Sequence, residues 1–477
     1  MADERTRHVE AILGRRLTRR EVLILAAYGG SAAAAAAFIA ACSPAASPSA
    51  SGAASAAAPS AAASAPASAA ATMATGRTIK IGFVTPSTGA FSAFAESDEF
   101  VLGAVKQAID PGIVNGDTTY PIQILVKDSQ SDPNRAAEVA GELILDDGID
   151  LMVVSNTPET TNPVADQCEA NGVPCISSVT PWQPYFLGRQ PGVAADQTKP
   201  FDWTYHFFWG LEDVISVFLD IWSKVETNKV VGGLFPNDGD GNAWGDPTVG
   251  FPTPLKDAGY TLIDPGRYEN LSTDFSAQIN AFKQANVEIL TGVPLPPDFT
   301  TFWQQAAQQG FKPKIATMGK ALLFPSSVEA LGDLGENLTS EVWWSPVHPF
   351  TSSLTDQSAQ QMADAYTAST AKQWTQPIGF AHAVFEVAAD VLTRATSIDD
   401  KAAIRDAIKA TALDTVVGHV QWDGTGLPPF AATNIAKTPL VGGQWKKGTT
   451  FPYDLVIVSN KDHTDIPAAG TMEALPG

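Results

Sequence analysis

The sequence has 477 residues, of which 17% are charged, and its net charge is -21. A chain this acidic will not hold nucleic acid through its phosphates and would be repelled by anionic lipid. Its three cysteines form no CxxC pair, and the sequence has no HExxH or GxSxG motif. Structural zinc, iron–sulfur clusters and serine-hydrolase chemistry therefore lack the residues that they need.

The chain begins with a predicted export signal, in which two arginines precede an apolar, Ala-rich run. The arginines are Arg19 and Arg20, and the run ends in Phe38-Ile39-Ala40-Ala41-Cys42. This pattern resembles a twin-arginine signal peptide, residues 1–41, finished by a bacterial lipobox in which Cys42 carries the lipid. The alternative is an uncleaved membrane helix, because residues 22–41 give about 20 residues, enough to span a bilayer.

Residues 42–76 are predicted to form a mobile tether. Beyond Cys42 they are almost entirely Ala, Ser and Pro, with no charge before Arg77 and no aromatic residue. Such a segment cannot bury enough apolar surface to offset the entropy of ordering it. A tether of this kind suits a globular body that is held at a membrane by a lipid anchor.

From Arg77 onward, predicted strands and helices alternate, which implies parallel sheets with helices on both faces. The first series has strands at 79–84, 122–126, 151–154 and 173–176 and helices at 94–110, 134–145 and 164–170. The second has strands at 229–235, 260–263, 288–290 and 314–317 and helices at 253–258, 275–284 and 299–309. Helices at 358–370, 379–396 and 401–410 follow, then short β-like runs over 416–458. Two series of similar length predict two doubly wound lobes, whose ligands bind beyond the carboxyl ends of the strands.

Four ordered stretches carry a family likeness: 79–91 (IKIGFVTPSTGAF), 127–136 (KDSQSDPNRA), 171–177 (NGVPCIS) and 418–424 (GHVQWDG). Together they resemble the branched-chain amino-acid-binding (leucine-binding-like) family of type I periplasmic binding proteins, the substrate-binding lipoproteins of ABC importers. The resemblance implies an α/β fold of two doubly wound parallel-sheet lobes, joined by a three-strand hinge and closing over a small ligand. We expect an N-terminal lobe of residues 77–205 and about 345–412, and a C-terminal lobe of about 206–344 and 413–477.

The resemblance also implies a ligand site. In this family, hydroxyls and backbone N–H groups after the third and fourth strands grip the carboxylate and amine of the ligand, and free N–H groups at a helix start favour an anion. For Thr160 the alternative is a simple N-capping role. The residues expected to bind the ligand are Phe91, Phe94, Thr157, Glu159, Thr160, Val179, Thr180, Trp182, Trp244 and Lys320.

The sequence departs from the family after the strand at 314–317. Amino-acid binders place an acid there to meet the ammonium of the ligand, whereas this chain has Lys320. Lys320 would repel an ammonium and attract a carboxylate, unless Glu159 or Asp240 takes the acidic role; alternatively, it is a solvated loop lysine. Trp343 and Trp344 lie at an expected crossing between the lobes, where they face either the ligand or the interdomain core.

Two further patterns concern cysteine pairing and calcium binding. Cys168 and Cys175 could pair in an exported protein, although two buried thiols fit their apolar neighbours better. The run Asp238-Gly239-Asp240-Gly241-Asn242 has Ala243 and Val249 where a calcium loop needs Gly and Glu. We therefore expect neither a metal nor a cofactor.

These observations favour a monomeric, non-enzymatic solute receptor on the outer face of the bacterial cytoplasmic membrane. Its expected partners are a small polar ligand, which is an amino acid or a related carboxylate or amide, and an ABC permease. One alternative keeps the fold but gives it a signalling role, with the closed lobes contacting a sensor. Another, suggested by the twin-arginine route, is an exported enzyme, for which no metal or nucleotide motif is present.

Overall fold

The structure is a computed structural model, which describes residues 73–190 and 199–477. The predicted signal peptide, Cys42 and most of the predicted tether lie outside these residues. The end of the predicted tether is not irregular, because Ala74–Thr75 forms a short strand beside Thr118–Thr119. None of the helices in the described ranges is long and apolar enough to cross a membrane.

The strands and helices alternate along most of the chain. In chain order the strands are β1 (Ala74–Thr75), β2 (Ile79–Thr85), β3 (Ile113–Asn115), β4 (Thr118–Tyr120), β5 (Ile122–Asp128), β6 (Leu151–Ser155), β7 (Cys175–Ser178), β8 (Thr204–Phe207), β9 (Val230–Leu234), β10 (Thr261–Ile263), β11 (Ile289–Gly292), β12 (Ile315–Met318), β13 (Thr339–Val342), β14 (Ala412–Thr415), β15 (Gly418–Gln421), β16 (Ile435–Ala436), β17 (Val441–Lys447) and β18 (Tyr453–Ser459). The helices are α1 (Asp98–Ala108), α2 (Pro133–Leu145), α3 (Pro158–Asn171), α4 (Trp182–Phe186), α5 (Leu211–Ser223), α6 (Gly239–Trp244), α7 (Pro252–Asp257), α8 (Ser276–Gln284), α9 (Pro296–Gln308), α10 (Pro325–Glu329), α11 (Ala359–Thr370), α12 (Pro377–Arg394) and α13 (Lys401–Lys409).

Two sheets form the centres of two lobes. The first has the order β16-β8-β7-β6-β2-β5 and is parallel throughout. The second has the order β10-β9-β11-β12-β13-β17-β18, parallel up to β13 and antiparallel beyond it. In each sheet the earliest parallel strand lies between the second and the third. The two lobes thus repeat one doubly wound topology, and the predicted fold class is confirmed.

The chain passes between the sheets after β8, after β13 and between β16 and β17. A charged contact joins two of these crossings, since Lys437 Nζ lies 2.7 Å from Glu212 Oε1 and 2.7 Å from Asp213 Oδ1 at the start of α5. The lobe boundaries differ from the expected ones near the C-terminus. Ile435–Ala436 extends the first sheet by pairing with β8, so part of 413–477 lies with the N-terminal lobe.

Most predicted elements occur within a few residues of their expected bounds. The helix expected at 94–110 begins later, because Ser92–Ala95 forms a separate 3-10 turn. The helix expected at 164–170 is longer and contains Pro163, a residue that normally ends helices. Cys168 and Cys175 are both buried free thiols.

Asp98, at the start of α1, should make stability depend on pH. Burial raises the pKa of its carboxyl to about 7, although a hydrogen bond from Thr85 opposes the shift. Between pH 4 and 7 the unfolded carboxyl ionises while the folded one keeps its proton, so stability falls as pH rises, by about 1.4 kcal/mol per pH unit at most. Between pH 5 and pH 7, the Tm of Asp98→Asn should therefore fall by less than the Tm of the unaltered protein, as measured by thermal unfolding.

The control for this prediction is Glu99→Gln, which changes the neighbouring, exposed acid in the same helical turn. It should leave the slope of Tm against pH unchanged. An Asp98→Asn slope equal to that of the unaltered protein would show that Asp98 is ionised in the folded state.

Candidate functional site

A small cavity lies between the lobes, at the carboxyl ends of strands from both sheets. The first lobe contributes Phe94, Thr157, Val179, Pro181, Phe208 and Trp209. The second lobe contributes Asp240, Trp244, Val293, Lys320, Leu323, Glu341 and Trp343. The volume of the cavity is about 30 Å³, which is enough for about two water molecules. The lobes are therefore nearly closed on each other.

Five of the residues expected in the site line this cavity: Phe94, Thr157, Val179, Trp244 and Lys320. The structure places the other five around it. Phe91 is buried behind Lys320, with its ring centroid 6.0 Å from Nζ. The hydroxyls of Thr160 and Thr180 donate hydrogen bonds to the backbone oxygens of Thr157 and Asn156, respectively. Both hydroxyls therefore stabilise the loops around the cavity.

Glu159 and Trp182 hold other contacts near the cleft. Glu159 Oε1 accepts a 3.0 Å hydrogen bond from the N–H of Gly239, so this side chain of the first lobe contacts the second. The indole of Trp182 donates to Glu212 Oε1 at 3.0 Å, close to the charged contact at the crossings. Both residues therefore join parts of the fold rather than line the cavity.

Sequence reasoning did not place Phe208, Trp209 and Glu341 in the site. Phe208 and Trp209 follow β8, a strand that the hydrophobic pattern did not predict. Glu341 lies inside β13 and is 2% exposed. The sequence does contain a clue to Glu341, which is an acid flanked by strand-forming residues and followed by Trp343. Carboxylates are rarely found in buried strands unless they are paired or have a function.

Two loop residues at the cavity have left-handed backbones. Val179, directly after β7, has φ 67°, and Lys320, two residues after β12, has φ 56°. A β-branched residue rarely adopts this conformation, which costs about 1–3 kcal/mol and persists only where the surroundings enforce it. The loops of the two lobes thus face each other in strained, defined conformations.

Lys320 is buried in an acidic cluster, so its interpretation as a solvated lysine is wrong. Its side chain is 3% exposed, and Nζ lies 2.7 Å from Asp240 Oδ2 and 3.4 Å from Asp238 Oδ2. Its backbone N–H donates to Glu341 Oε1 at 3.1 Å. Burial opposes the charge on Lys320, but Asp238 and Asp240 outweigh it and raise the pKa of the ammonium.

For the carboxyls around Lys320, burial has a larger effect on the pKa than the neighbouring charges have. Burial raises the pKa of Asp240, although the nearby ammonium of Lys320 offsets part of the shift. Burial also raises the pKa of Glu341, to about 7, against hydrogen bonds from the backbone of Lys320 and from Ser340. One ammonium therefore faces more carboxyls than it can neutralise, and any further negative charge here would be costly.

Five residues that line the cavity each have a buried polar atom with no hydrogen-bond partner among the described residues: Trp209 Nε1, Trp244 Nε1, Trp343 Nε1, Thr157 Oγ1 and Asp240 Oδ1. Buried polar groups in native proteins are nearly always bonded, to protein or to something bound. Five such atoms on one set of lining residues are unusual, and each of them is almost fully enclosed by protein. Three of the five are N–H donors and one is a carboxylate oxygen.

No group of His, Cys, Asp and Glu in the described part of the chain is arranged to hold a metal ion. A wider groove of about 990 Å³ lies between α1 and α11, on the outside of the first lobe. It shares no lining residue with the cavity between the lobes. The interlobe cavity is therefore the candidate site.

Two doubly wound lobes with a small cavity between the carboxyl ends of their strands define the class of two-lobed, cleft-binding α/β proteins. The family described as "Periplasmic binding protein" matches residues 78–449. The chain belongs to this family. A search of curated proteins by sequence finds no match.

Solved structures of binding proteins share the fold. A leucine binding protein, LivK, from Thermotoga maritima has a TM-score of 0.64 and 18% identity, covering 80% of this chain and 99% of its own. The branched-chain amino acid transporter substrate binding protein LivJ from Streptococcus pneumoniae, in complex with isoleucine, has a TM-score of 0.61 and 16% identity, covering 80% and 99%. An ABC transporter solute binding protein from Rhodopseudomonas palustris, in complex with 3,4-dihydroxybenzoic acid, has a TM-score of 0.62 and 16% identity, covering 80% and 96%. Membership of the family places the protein outside the cytoplasm, among proteins that bind solutes.

Proposed function

We propose that the chain is a lipid-anchored solute-binding protein of an ABC importer, which captures a small polar ligand and delivers it to a membrane permease. The observation that carries the proposal is the cavity between the lobes, which is lined by polar and aromatic residues of both. A ligand that bonds Thr157 of one lobe and Trp244 or Asp240 of the other would hold the lobes together. Chemistry is not needed for this role, and the family resemblance of the sequence favours an amino acid or a related carboxylate or amide as the ligand.

Hinge closure is the proposed mechanism. The lobes meet at the cavity and at the contact of Glu159 with Gly239, whereas the chain joins them at the crossings. A ligand that contacts both lobes binds the closed form better than the open one and shifts the population toward it. The permease would then recognise the closed form.

Binding can be tested by a thermal-shift screen of the full chain against amino acids, amides, carboxylates and sugars. A ligand at about 100 times its Kd should stabilise the folded protein by about 2.7 kcal/mol, because it binds only that form. Small-angle scattering with the same ligand should show a smaller radius of gyration. A screen in which no compound raises the Tm would contradict the proposal, and turnover of a bound compound would point to an enzyme.

The lipid anchor is tested by Cys42→Ser. We expect the unaltered protein to fractionate with membranes and to have the added mass of acyl chains. The variant should remain outside the membrane fraction and lack the added mass. The control is Cys168→Ser, which removes a buried thiol of the body and should leave the anchoring unchanged. Membrane association of Cys42→Ser would mean that residues 22–41 remain as a membrane helix.

A further inference from the structure

The two lobes touch each other directly at the starts of α3 and α6. Glu159, in the first turn of α3, accepts a 3.0 Å hydrogen bond at Oε1 from the N–H of Gly239, the first residue of α6. A Cβ added at Gly239 would lie 3.1 Å from Cβ of Pro158 and 3.3 Å from Oε1 of Glu159. The three atoms nearest to this added Cβ all belong to the first lobe. The backbone of the second lobe therefore reaches the first lobe at this glycine.

A pair of aromatic rings makes a second contact between the lobes. Phe94 follows β2 of the first lobe, and Phe324 precedes α10 of the second. Their ring centroids are 4.9 Å apart in an edge-to-face arrangement, and both rings are buried. Phe94 also lines the cavity, so a change there would alter the ligand site, whereas Glu159 and Gly239 are not among the lining residues. The contact of Glu159 with Gly239 can therefore be altered separately from the cavity wall.

These contacts between the lobes consist of protein atoms alone. The cavity has a volume of only about 30 Å³, so a ligand that fills it covers little of the facing surfaces. A hydrogen bond to a carboxylate is stronger than one between neutral groups, and partial burial of Glu159 limits competition from water. The closed arrangement thus has a source of stability that a ligand does not supply.

The charge of Glu159 acts in two directions across this contact. Burial opposes the charge on Lys320, but Asp238, Asp240 and Glu159 together outweigh it and raise the pKa of the ammonium. Burial raises the pKa of Asp240, Lys320 opposes that shift, and Glu159 adds to it. Glu159 therefore attracts one group of the second lobe and repels another. The hydrogen bond to Gly239 and the packing of Pro158 remain as contacts that favour closure alone.

We propose that Pro158, Glu159 and Gly239 form a latch that holds the lobes together before a ligand binds. Glu159 and Gly239 are then positioning residues, which set the fraction of closed molecules. The apparent affinity of a ligand that binds only the closed form is reduced by the fraction of molecules that are open, so the latch controls affinity from outside the cavity. This inference rests on the proposed hinge closure, but its test does not require the ligand to be known.

The test is the distance between spin labels on the two lobes, measured by pulsed electron paramagnetic resonance on the full chain without added ligand. The labels are attached to Asn134→Cys in the first lobe and Thr248→Cys in the second, both at exposed positions. Cys168 and Cys175 are buried, and Cys42→Ser removes the remaining thiol. With the latch intact, the main population should have the label separation of the closed structure. A distribution that lacks this population would overturn the inference.

Three variants change the latch in this labelled protein. Glu159→Ala removes the acceptor, so the ratio of open to closed molecules should rise about tenfold. Gly239→Ala keeps the N–H but places a methyl group against Pro158, which should also favour the open form. Alanine suits the helical backbone at this position, so the second lobe itself should stay folded. Glu159→Gln keeps an oxygen that can accept from Gly239, so it should open the lobes less than Glu159→Ala does.

The matched control is Glu99→Ala, which removes an exposed acid from the first turn of another helix of the same lobe, α1. It should leave the distances unchanged. The latch is refuted if Glu159→Ala and Gly239→Ala both keep the distances of the unaltered seam, or if Glu159→Gln opens the lobes as far as Glu159→Ala. Failure of every compound in the thermal-shift screen would instead contradict the solute-binding function, because the label distances are measured without a ligand.

Discussion

Replacing Gly379 with alanine should destabilise the protein by about 3 kcal/mol. A Cβ at this position of α12 would lie 2.3 Å from Cδ1 and 2.4 Å from Cγ of the indole of Trp344. The ring is fully buried and cannot swing aside, so helix or ring must shift. A fall in the Tm and in the midpoint of denaturant unfolding would measure the effect.

Gly103→Ala provides the matched control, since Gly103 also lies inside a helix, α1, and an added Cβ there meets nothing within 4 Å. This change should stabilise the protein by about 0.5–1 kcal/mol, because alanine has less freedom than glycine to lose on folding. Opposite signs for the two variants would establish that the contact with Trp344 excludes a side chain at 379. A loss of similar size in both would instead indicate a general intolerance of these helices to change.

The order of strands and helices could be predicted because buried parallel strands have a strong apolar pattern, as in β2 and β6. The pattern failed where packing between lobes decides the structure. β8 has the sequence TYHF, and His206 in it is buried and hydrogen-bonded to Ser177 and Thr180. Burial lowers the pKa of His206 to about 3, an environment that no periodicity of the sequence reveals. Helix α5 was not predicted, although its buried residues Leu211, Val214, Phe218 and Trp222 have helical spacing.

The cavity residues also divide into those that the sequence could predict and those that it could not. Thr157, Val179 and Trp244 follow predicted strands or sit in loops that match family motifs, so their place near the cleft could be expected. The environment of Lys320 could not, because its ion pairs join loops after β9 and β12 that are 82 residues apart. Whether a loop lysine is free or paired depends on long-range packing, so its role had to be read from the structure.

Replacing Lys320 with methionine should destabilise the protein by about 3–5 kcal/mol near pH 8, because it leaves Asp238 and Asp240 buried without their cation. The loss should be smaller at pH 6. Removing the ammonium raises the pKa of Asp240 further, so the folded variant binds a proton that the unfolded chain releases near pH 4, and its stability decreases as pH rises. The difference in Tm between Lys320→Met and the unaltered protein should therefore increase from pH 6 to pH 8.

The assignment of this loss to buried charge depends on a double variant. Adding Asp240→Asn to Lys320→Met removes one stranded carboxylate, so the pair should recover part of the Tm at pH 8 and show a weaker pH dependence. Lys312→Met, at an exposed position, should change stability by less than about 0.5 kcal/mol. A loss that is equal at both pH values and is not relieved by Asp240→Asn would mean that Lys320 stabilises the fold by packing alone. Recovery would show that the ammonium of Lys320 stabilises the fold by neutralising the buried carboxylates around it.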